Sequence, residues 1–437
     1  MIISKLEKLS FSLILLIPIA LVTGPAIPDL IITFVSIFFI YHMIKNKEYN
    51  FIKEKWVLFS FVFFLNLQIS SLFSENYSIA FRESFIFLRI IIIPIFLCFW
   101  LLINKKRINY LLNLILFVNL LICFDCIYQF LNYNPEFGFG KDILGFSSEF
   151  YGRLSGPFND LVPGSFIAKF SMLGLCSILI NFKDRYNFLL IFSVSYLVLC
   201  GIITFISGER MAFATFFLGM ILGIVFFKKY RKIFLLSLIL IFIFTYIIYK
   251  THSIYNDYTI VDSKPDHLGL KIEKTYECNN GSNKCKKIIL LQPELKEVIK
   301  DFRKSPYGDV YTLAFQMYKD NKFMGIGLNN FNYLCKTNTK YMRETCWSHP
   351  HNFYLQWLTE TGTIGFLLFI LYLLSILVKI FIHRNFTYSK ISFITFMILF
   401  WPIMSTGSLL KNWHGIETFF ILGVLIALLN FEKNDFT

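Results

Sequence analysis

Apolar residues along this chain fall in long blocks, with no polar face alternating or recurring inside them. The blocks lie near residues 9–23, 27–44, 56–73, 85–103, 108–131, 162–181, 187–206, 211–227, 233–249, 362–381, 389–406 and 416–431. A run of roughly 18 or more residues that is apolar all round has no wetted side and reads as a membrane span. The pattern predicts an all-α polytopic membrane protein with about twelve transmembrane helices. The first block follows Lys5 and Lys8 and imitates a secretory leader. It lacks a small-x-small cleavage site before Pro25, and another block follows at once, so it reads as a retained helix.

The connectors carry the second signal. Segments 45–55, 104–107, 182–186, 228–232 and 382–390 hold Lys and Arg, and they alternate with poorly charged connectors. Basic connectors stay in the cytoplasm, which places both termini there. Segment 132–161, the turn Ser207–Arg210, the large loop 250–350 and segment 407–415 then face outward. The predicted division is a nine-helix region 1–249, a loop 250–350 with short helices, and a three-helix region 351–437. Inside the loop, Val310–Asn321 has helical spacing and runs into the Gly-rich turn Met324-Gly325-Ile326-Gly327.

Composition agrees: 56% of residues are hydrophobic and 16% charged, where soluble domains carry about 25% charged residues. A net charge of +14 in a soluble chain would suggest nucleic acid. Here the basic residues sit in short clusters between spans, so the partner they point to is membrane lipid and not nucleic acid. Five of the nine cysteines lie inside blocks, and the other four form two close loop pairs, Cys278/Cys285 and Cys335/Cys346. In an outward-facing loop these predict two local disulfides. A zinc site from Cys335, Cys346, His349 and His351 is the alternative, although its spacing matches no finger pattern.

Chemistry-bearing residues gather on the outward side. Ser348-His349-Pro350-His351-Asn352 stands where the loop meets a span. An imidazole titrates near 6.5, so His351 could accept a proton from a hydroxyl at neutral pH, with His349, Asn352 and Glu360 as neighbours. It could equally do no more than bond a loop carbonyl. Arg210, in SGERMAF, is a cation on the outer side that needs an anionic partner. Either a phosphate held by its fork or the adjacent Glu209 would serve. Arg153 lies in YGRLSGPFNDLVPGSF, whose glycines and prolines force irregular backbone. Such backbone lines a cavity or merely leads into the next helix. Lys169 is an intramembrane cation and a candidate on that ground, as more weakly are Arg89, Asp125 and Lys411. HExxH, Walker-type and GxSxG motifs are missing, and the outer loops hold no carboxylate cluster suited to a divalent ion. The chemistry reads as His- and Arg-based, with no metal or cofactor.

The stretch SHPHNFYLQWLTETGTIGFLLF, preceded by YKDNKFMGIGLNNF, resembles the signature of the O-antigen ligase and O-antigen polymerase superfamily. RLSGPFNDLV and SGERMAF are similar to further patterns of that family, and the resemblance covers about 140–430. It implies a bacterial inner-membrane glycosyltransferase with one large periplasmic loop. Such an enzyme moves glycan from an undecaprenyl-diphosphate carrier to an acceptor without metal or nucleotide sugar. His351 then matches the base on the acceptor hydroxyl, Arg210 the diphosphate ligand, and Arg153 the arginine of the RxxG pattern. Lys169, His349 and Asn352 join as substrate-binding candidates. Many members carry a further loop arginine just before the amphipathic helix, and Arg303 stands several residues earlier than that position. A ligase would use lipid A core as acceptor and a polymerase a second carrier-linked glycan; the single dominant loop favours a ligase. A polysaccharide transporter is the reading from another class, but its two related halves are not seen in a nine-plus-three arrangement.

Overall fold

Where helices stop inside the apolar blocks decides what the site is made from. The computed structural model describes residues 2–134, 138–148, 152–158, 160, 162–256, 274–277, 284–287, 300–301, 303, 307–343, 346–384, 386–403 and 405–434. Each apolar block carries helix, and nine of the described helices are long and apolar enough to cross a membrane. The protein is an all-α, multi-pass membrane protein. Described strand is confined to two short antiparallel ladders, Tyr133–Asn134 with Gly138–Phe139 and Lys274–Glu277 with Lys284–Lys287.

Two blocks give shorter helices than hydropathy implies, and a third gives a short helix of the length its block predicts. The first splits into Ile2–Leu15 and the turn Ile17–Ala20, which holds Pro18. Arg210–Phe226 has 17 residues and starts just after left-handed Gly208. Thr387–Leu399 has only 13, although its block runs to residue 406. Pro402 can donate no hydrogen bond to a helix, and the backbone of Phe400, Pro402 and Thr406 is used for another purpose described below.

The chain forms two compact units, residues 1–114 with 302–437, and residues 115–301. In the first, Asn412–Phe431 is the central span, with 89% of its apolar window buried. Phe353–Ile382 lies along Lys55–Leu72, where Phe63 meets Trp357 at 5.0 Å and Phe369 at 5.5 Å between ring centroids. Close packing of this kind holds helices together where lipid competes for apolar surface. One polar cluster inside the unit joins helices far apart in sequence. Arg89 bonds Asp29 at 2.7 Å and Asn412 at 2.9 Å, so this cation fastens helices to one another.

The same unit carries a small water-type core. Helices Gly308–Asp320 and Asn330–Thr337 bury Val310, Leu313, Ala314, Met317, Phe331 and Leu334 together, following the helical spacing in the sequence. Asp320 accepts from Tyr341 at 2.9 Å and pairs with Lys340 at 2.8 Å. Cys335 and Cys346 are disulfide-bonded, with Cα atoms 5.7 Å apart, which leaves the zinc alternative without its thiolates. Of the second pair, Cys285 lies on the strand Lys284–Lys287 and Cys278 lies outside the described residues.

In the second unit Pro163–Asn181 is the most enclosed span, with 83% of its window buried, and it packs on Tyr186–Ile206. Gly174 permits that approach, because a Cβ there would collide with Tyr196 Oη. The same hydroxyl accepts from Asn119 Nδ2 at 2.8 Å, a buried polar contact between the helices that carry the two residues. Asp125 accepts the Ile143 N–H at 2.9 Å and so serves the local backbone.

Peptide mapping of unreduced, alkylated protein should recover Cys335 and Cys346 in one cross-linked species. Recovery of both as alkylated thiols would contradict the pairing.

Candidate functional site

The His-Asn segment owes its shape to the turn that follows Leu399. Asn352 is the N-cap of Phe353–Ile382: its side-chain oxygen accepts the Leu355 N–H at 3.0 Å. Its amide nitrogen donates to the Pro402 carbonyl at 3.0 Å. Thr406 closes the other side, its N–H donating to the His351 carbonyl at 2.7 Å and its hydroxyl accepting from Phe353 N–H at 3.0 Å. Tyr354 Oη donates to the Phe400 carbonyl at 2.7 Å. The backbone freed when the Thr387–Leu399 helix ends therefore holds the catalytic-looking loop. His351 sits in this grip with φ 53°, a left-handed conformation uncommon for a residue with a side chain.

A second support comes from behind. The Phe353–Ile382 helix is interrupted at Gly362 (φ 66°, ψ −170°). Segment 322–327 fills the opening. Thr363 N–H donates to the Lys322 carbonyl at 2.7 Å, Ile326 N–H to Thr359 at 3.1 Å, and Gly327 N–H to Glu360 at 2.9 Å. Gly325 must be glycine, because a Cβ there would collide with the Glu360 backbone. The sequence stretches MGIGLNN and TETG are thus the two halves of one joint. Glu360 is fully buried in it and accepts from Gln356 Nε2 at 3.3 Å, so it supports the joint and does not face the imidazole.

Around His351 the surroundings are aromatic. Its ring lies 4.2 Å from His349, 5.1 Å from Trp347 and 5.2 Å from Tyr307, measured between centroids. Burial, and then the Lys411 ammonium, hold the His351 imidazole down at about 4. Burial, His351 and Lys411 hold His349 down at about 3. Both rings are neutral at pH 7, so either can accept a proton. His349 Nδ1 pairs with the Ser348 hydroxyl at 2.8 Å. Its Nε2 is buried without a hydrogen bond to a side chain, and the Thr406 backbone favours the protonated ring. Arg303 is exposed and lines a separate hollow of about 380 Å³ with Tyr311, Thr312, Phe315, Gln316 and Lys319. Tyr307 links the two places, since its ring also stacks 6.2 Å from Tyr311.

The second unit assembles Arg153, Lys169 and a residue the sequence reading gave only as a pairing partner, Glu209. The Glu209 carboxylate accepts the Gly164 N–H at 2.7 Å and the Ser165 N–H at 3.1 Å, capping the Pro163–Asn181 helix. An anion at a helix N-terminus meets unpaired amides and the positive end of the dipole. Although part of its surface is open, protein surrounds the carboxyl closely. Burial pushes it up to about 7, against the opposing pull of Arg153, the two amides and Lys169. Arg153 Nε is buried without a hydrogen bond. Arg210, the first residue of its helix, is exposed and makes no ion pair among the described residues. Glu209 therefore belongs to Arg153 and the helix end, and the pairing with Arg210 open to the sequence is not made. Nothing local in the sequence marks this role, since the amides that Glu209 caps lie far from it along the chain.

Among the described residues no group of three or more His, Cys, Asp or Glu is placed to hold a metal ion. Replacing Glu209 by Ala should orphan two helix amides and leave Arg153 uncompensated, lowering stability by about 2–4 kcal/mol. Thermal unfolding in detergent checks this, and an unchanged transition would contradict the capping role.

Compared with known proteins, residues 195–370 match the family model described as O-antigen ligase. That span contains Arg210 and the whole His351 segment with its glycine joint. No curated protein matches the chain. The resemblance carried by the His-Asn helix is thus matched over residues 195–370, and that match supports the O-antigen ligase superfamily, glycosyltransferases of the ligase and polymerase type.

Proposed function

We propose that this protein is an O-antigen ligase: it transfers glycan from undecaprenyl diphosphate to lipid A core at the periplasmic face of the bacterial inner membrane. In this reading all twelve apolar blocks cross or enter the membrane, both termini are cytoplasmic, and 250–350 is the periplasmic loop, with Cys278 joined to Cys285. The observation that carries it is the neutral, partly open imidazole of His351, fixed ahead of a helix inside the matched domain.

The acceptor hydroxyl gives its proton to His351 as its oxygen attacks the anomeric carbon. The bond from that carbon to the diphosphate oxygen breaks, and the carrier leaves as undecaprenyl diphosphate with the electron pair. One displacement inverts the anomeric configuration. Arg210, exposed and unpaired among the described residues, is assigned to the diphosphate, where fixed cations stabilise charge developing on the leaving group. Arg153 and Lys169 are assigned the same charge. Arg303, His349 and Asn352 remain substrate-side candidates, but the two ends of the Asn352 amide are engaged with backbone, which favours a scaffold role for it.

Purified wild type, His351→Ala and Arg210→Ala should be compared on a lipid-linked glycan with lipid A core as acceptor. Each variant should lose about 100-fold or more in transfer rate while keeping its fold. Undiminished transfer by both would remove the mechanism. Transfer only to a second carrier-linked glycan would make the enzyme a polymerase instead.

A further inference from the structure

The helix Gly308–Asp320 carries more apolar surface than its core uses. Val310, Leu313, Ala314 and Met317 are buried with Phe331 and Leu334. A second line, Tyr307, Tyr311, Phe315 and Lys319, recurs at every fourth residue and so forms one ridge along the helix. Tyr307 and Tyr311 stack at 6.2 Å, and Lys319 Nζ lies 4.9 Å from the centre of the Phe315 ring. Phe315 is 46% exposed. An aromatic row left partly open beyond the core marks a surface that something covers.

The row forms one wall of the hollow of about 380 Å³, a volume within the range of roughly 300–1,000 Å³ usual for ligand sites. Gly308 brings Arg303 against the start of the helix, since a Cβ there would collide with the Arg303 backbone. Thr312 donates its hydroxyl to the Gly308 carbonyl at 2.7 Å, which leaves its oxygen able to accept. Gln316 is held at its Oε1 by Arg343 at 3.0 Å. Toward its other end the row reaches the imidazole. Tyr307 lies 5.2 Å from His351 and 6.5 Å from Trp347, whose ring stands edge-on to His351 at 5.1 Å. Rings therefore run from the proton acceptor into the hollow, spanning roughly 12 Å between Tyr307 and Phe315 at the helical rise.

Flat rings interleaved with hydroxyl, amide and guanidinium groups suit a saccharide. The C–H face of a sugar packs on a ring, while its hydroxyls exchange hydrogen bonds with the polar edges. A bilayer would be met instead by a convex apolar tip, and this surface is concave with Arg303 and Lys319 on its lining.

We propose that Tyr311 and Phe315 bind the acceptor saccharide at sugar units beyond the one that reacts. The inference rests on the proposed transfer for its ligand class. The acceptor is the occupant, and not the donor glycan, because the row begins at the imidazole that takes the acceptor's proton. The sugar bearing the reactive hydroxyl then lies by Tyr307, Trp347 and His351, and the units behind it continue over Tyr311 to Phe315.

Binding to the full-length protein in nanodiscs tests this. The probe is core oligosaccharide cleaved from lipid A and stripped of phosphate, with its outermost disaccharide as the short control. Phe315→Ala, at an exposed position, should weaken oligosaccharide binding about fivefold or more and leave the disaccharide unchanged. Tyr311→Leu keeps apolar packing against the core but loses the flat face, and it should show the same loss at an unchanged melting temperature. Phe315→Trp keeps a ring and should stay within about threefold of wild type. Equal oligosaccharide binding by wild type, Phe315→Ala and Tyr311→Leu, absence of binding included, overturns the proposal whether or not transfer is seen. Quenching of the added Phe315→Trp fluorescence by brominated lipid also overturns it, because the row would then lie in the bilayer. Failure of the transfer reading looks different: binding still depends on Phe315, but no new glycosidic bond forms.

Discussion

The hydrogen bond from Thr406 N–H to the His351 carbonyl is the contact on which the rest of the first unit's site depends. A left-handed φ at a residue with a side chain costs of order 1–3 kcal/mol and persists only where surrounding contacts enforce it. Here those contacts are Thr406 on one side of the loop and the Asn352–Pro402 bond on the other. They fix the imidazole between Trp347 and Tyr307, at the start of a helix whose own first turn is capped. Preorganisation of this kind places a proton acceptor without a conformational search during reaction.

Electrostatics set the second condition. In the substrate-free protein both histidines are poor bases, lowered by burial and by Lys411. That keeps them neutral, but a base near 4 is weak against a hydroxyl. The second unit solves a related problem with protein groups alone, where Glu209 stands between a helix end, Arg153 and Lys169.

Much of the fold was legible because hydropathy registers the solvent a helix meets. Each apolar block proved to contain helix, and Val310–Asn321 proved to be the amphipathic loop helix. The misreadings have physical causes. Hydropathy extended the block 389–406 through residues that are apolar yet not helical, since Pro402 breaks the ladder and the freed carbonyls turn to Asn352 and Tyr354. No local pattern reveals that the Glu360 backbone forms a joint with Gly325 and Gly327, because that pairing joins segments apart in sequence. His351, His349 and the Cys335–Cys346 pair could be named from residue type and spacing. Glu209 could not, because its partners Gly164 and Ser165 lie 45 and 44 positions away.

The claim that an enforced, neutral imidazole lies at the centre of this protein is tested most directly by titrating ¹³C-labelled histidine in the substrate-free enzyme, with His351 assigned by substitution. Burial lowers its proton affinity in the folded state, so the resonance should remain that of neutral imidazole at pH 6 and change only as the pH falls toward about 4. A midpoint near 6.5, the value of an imidazole free in water, would contradict the account.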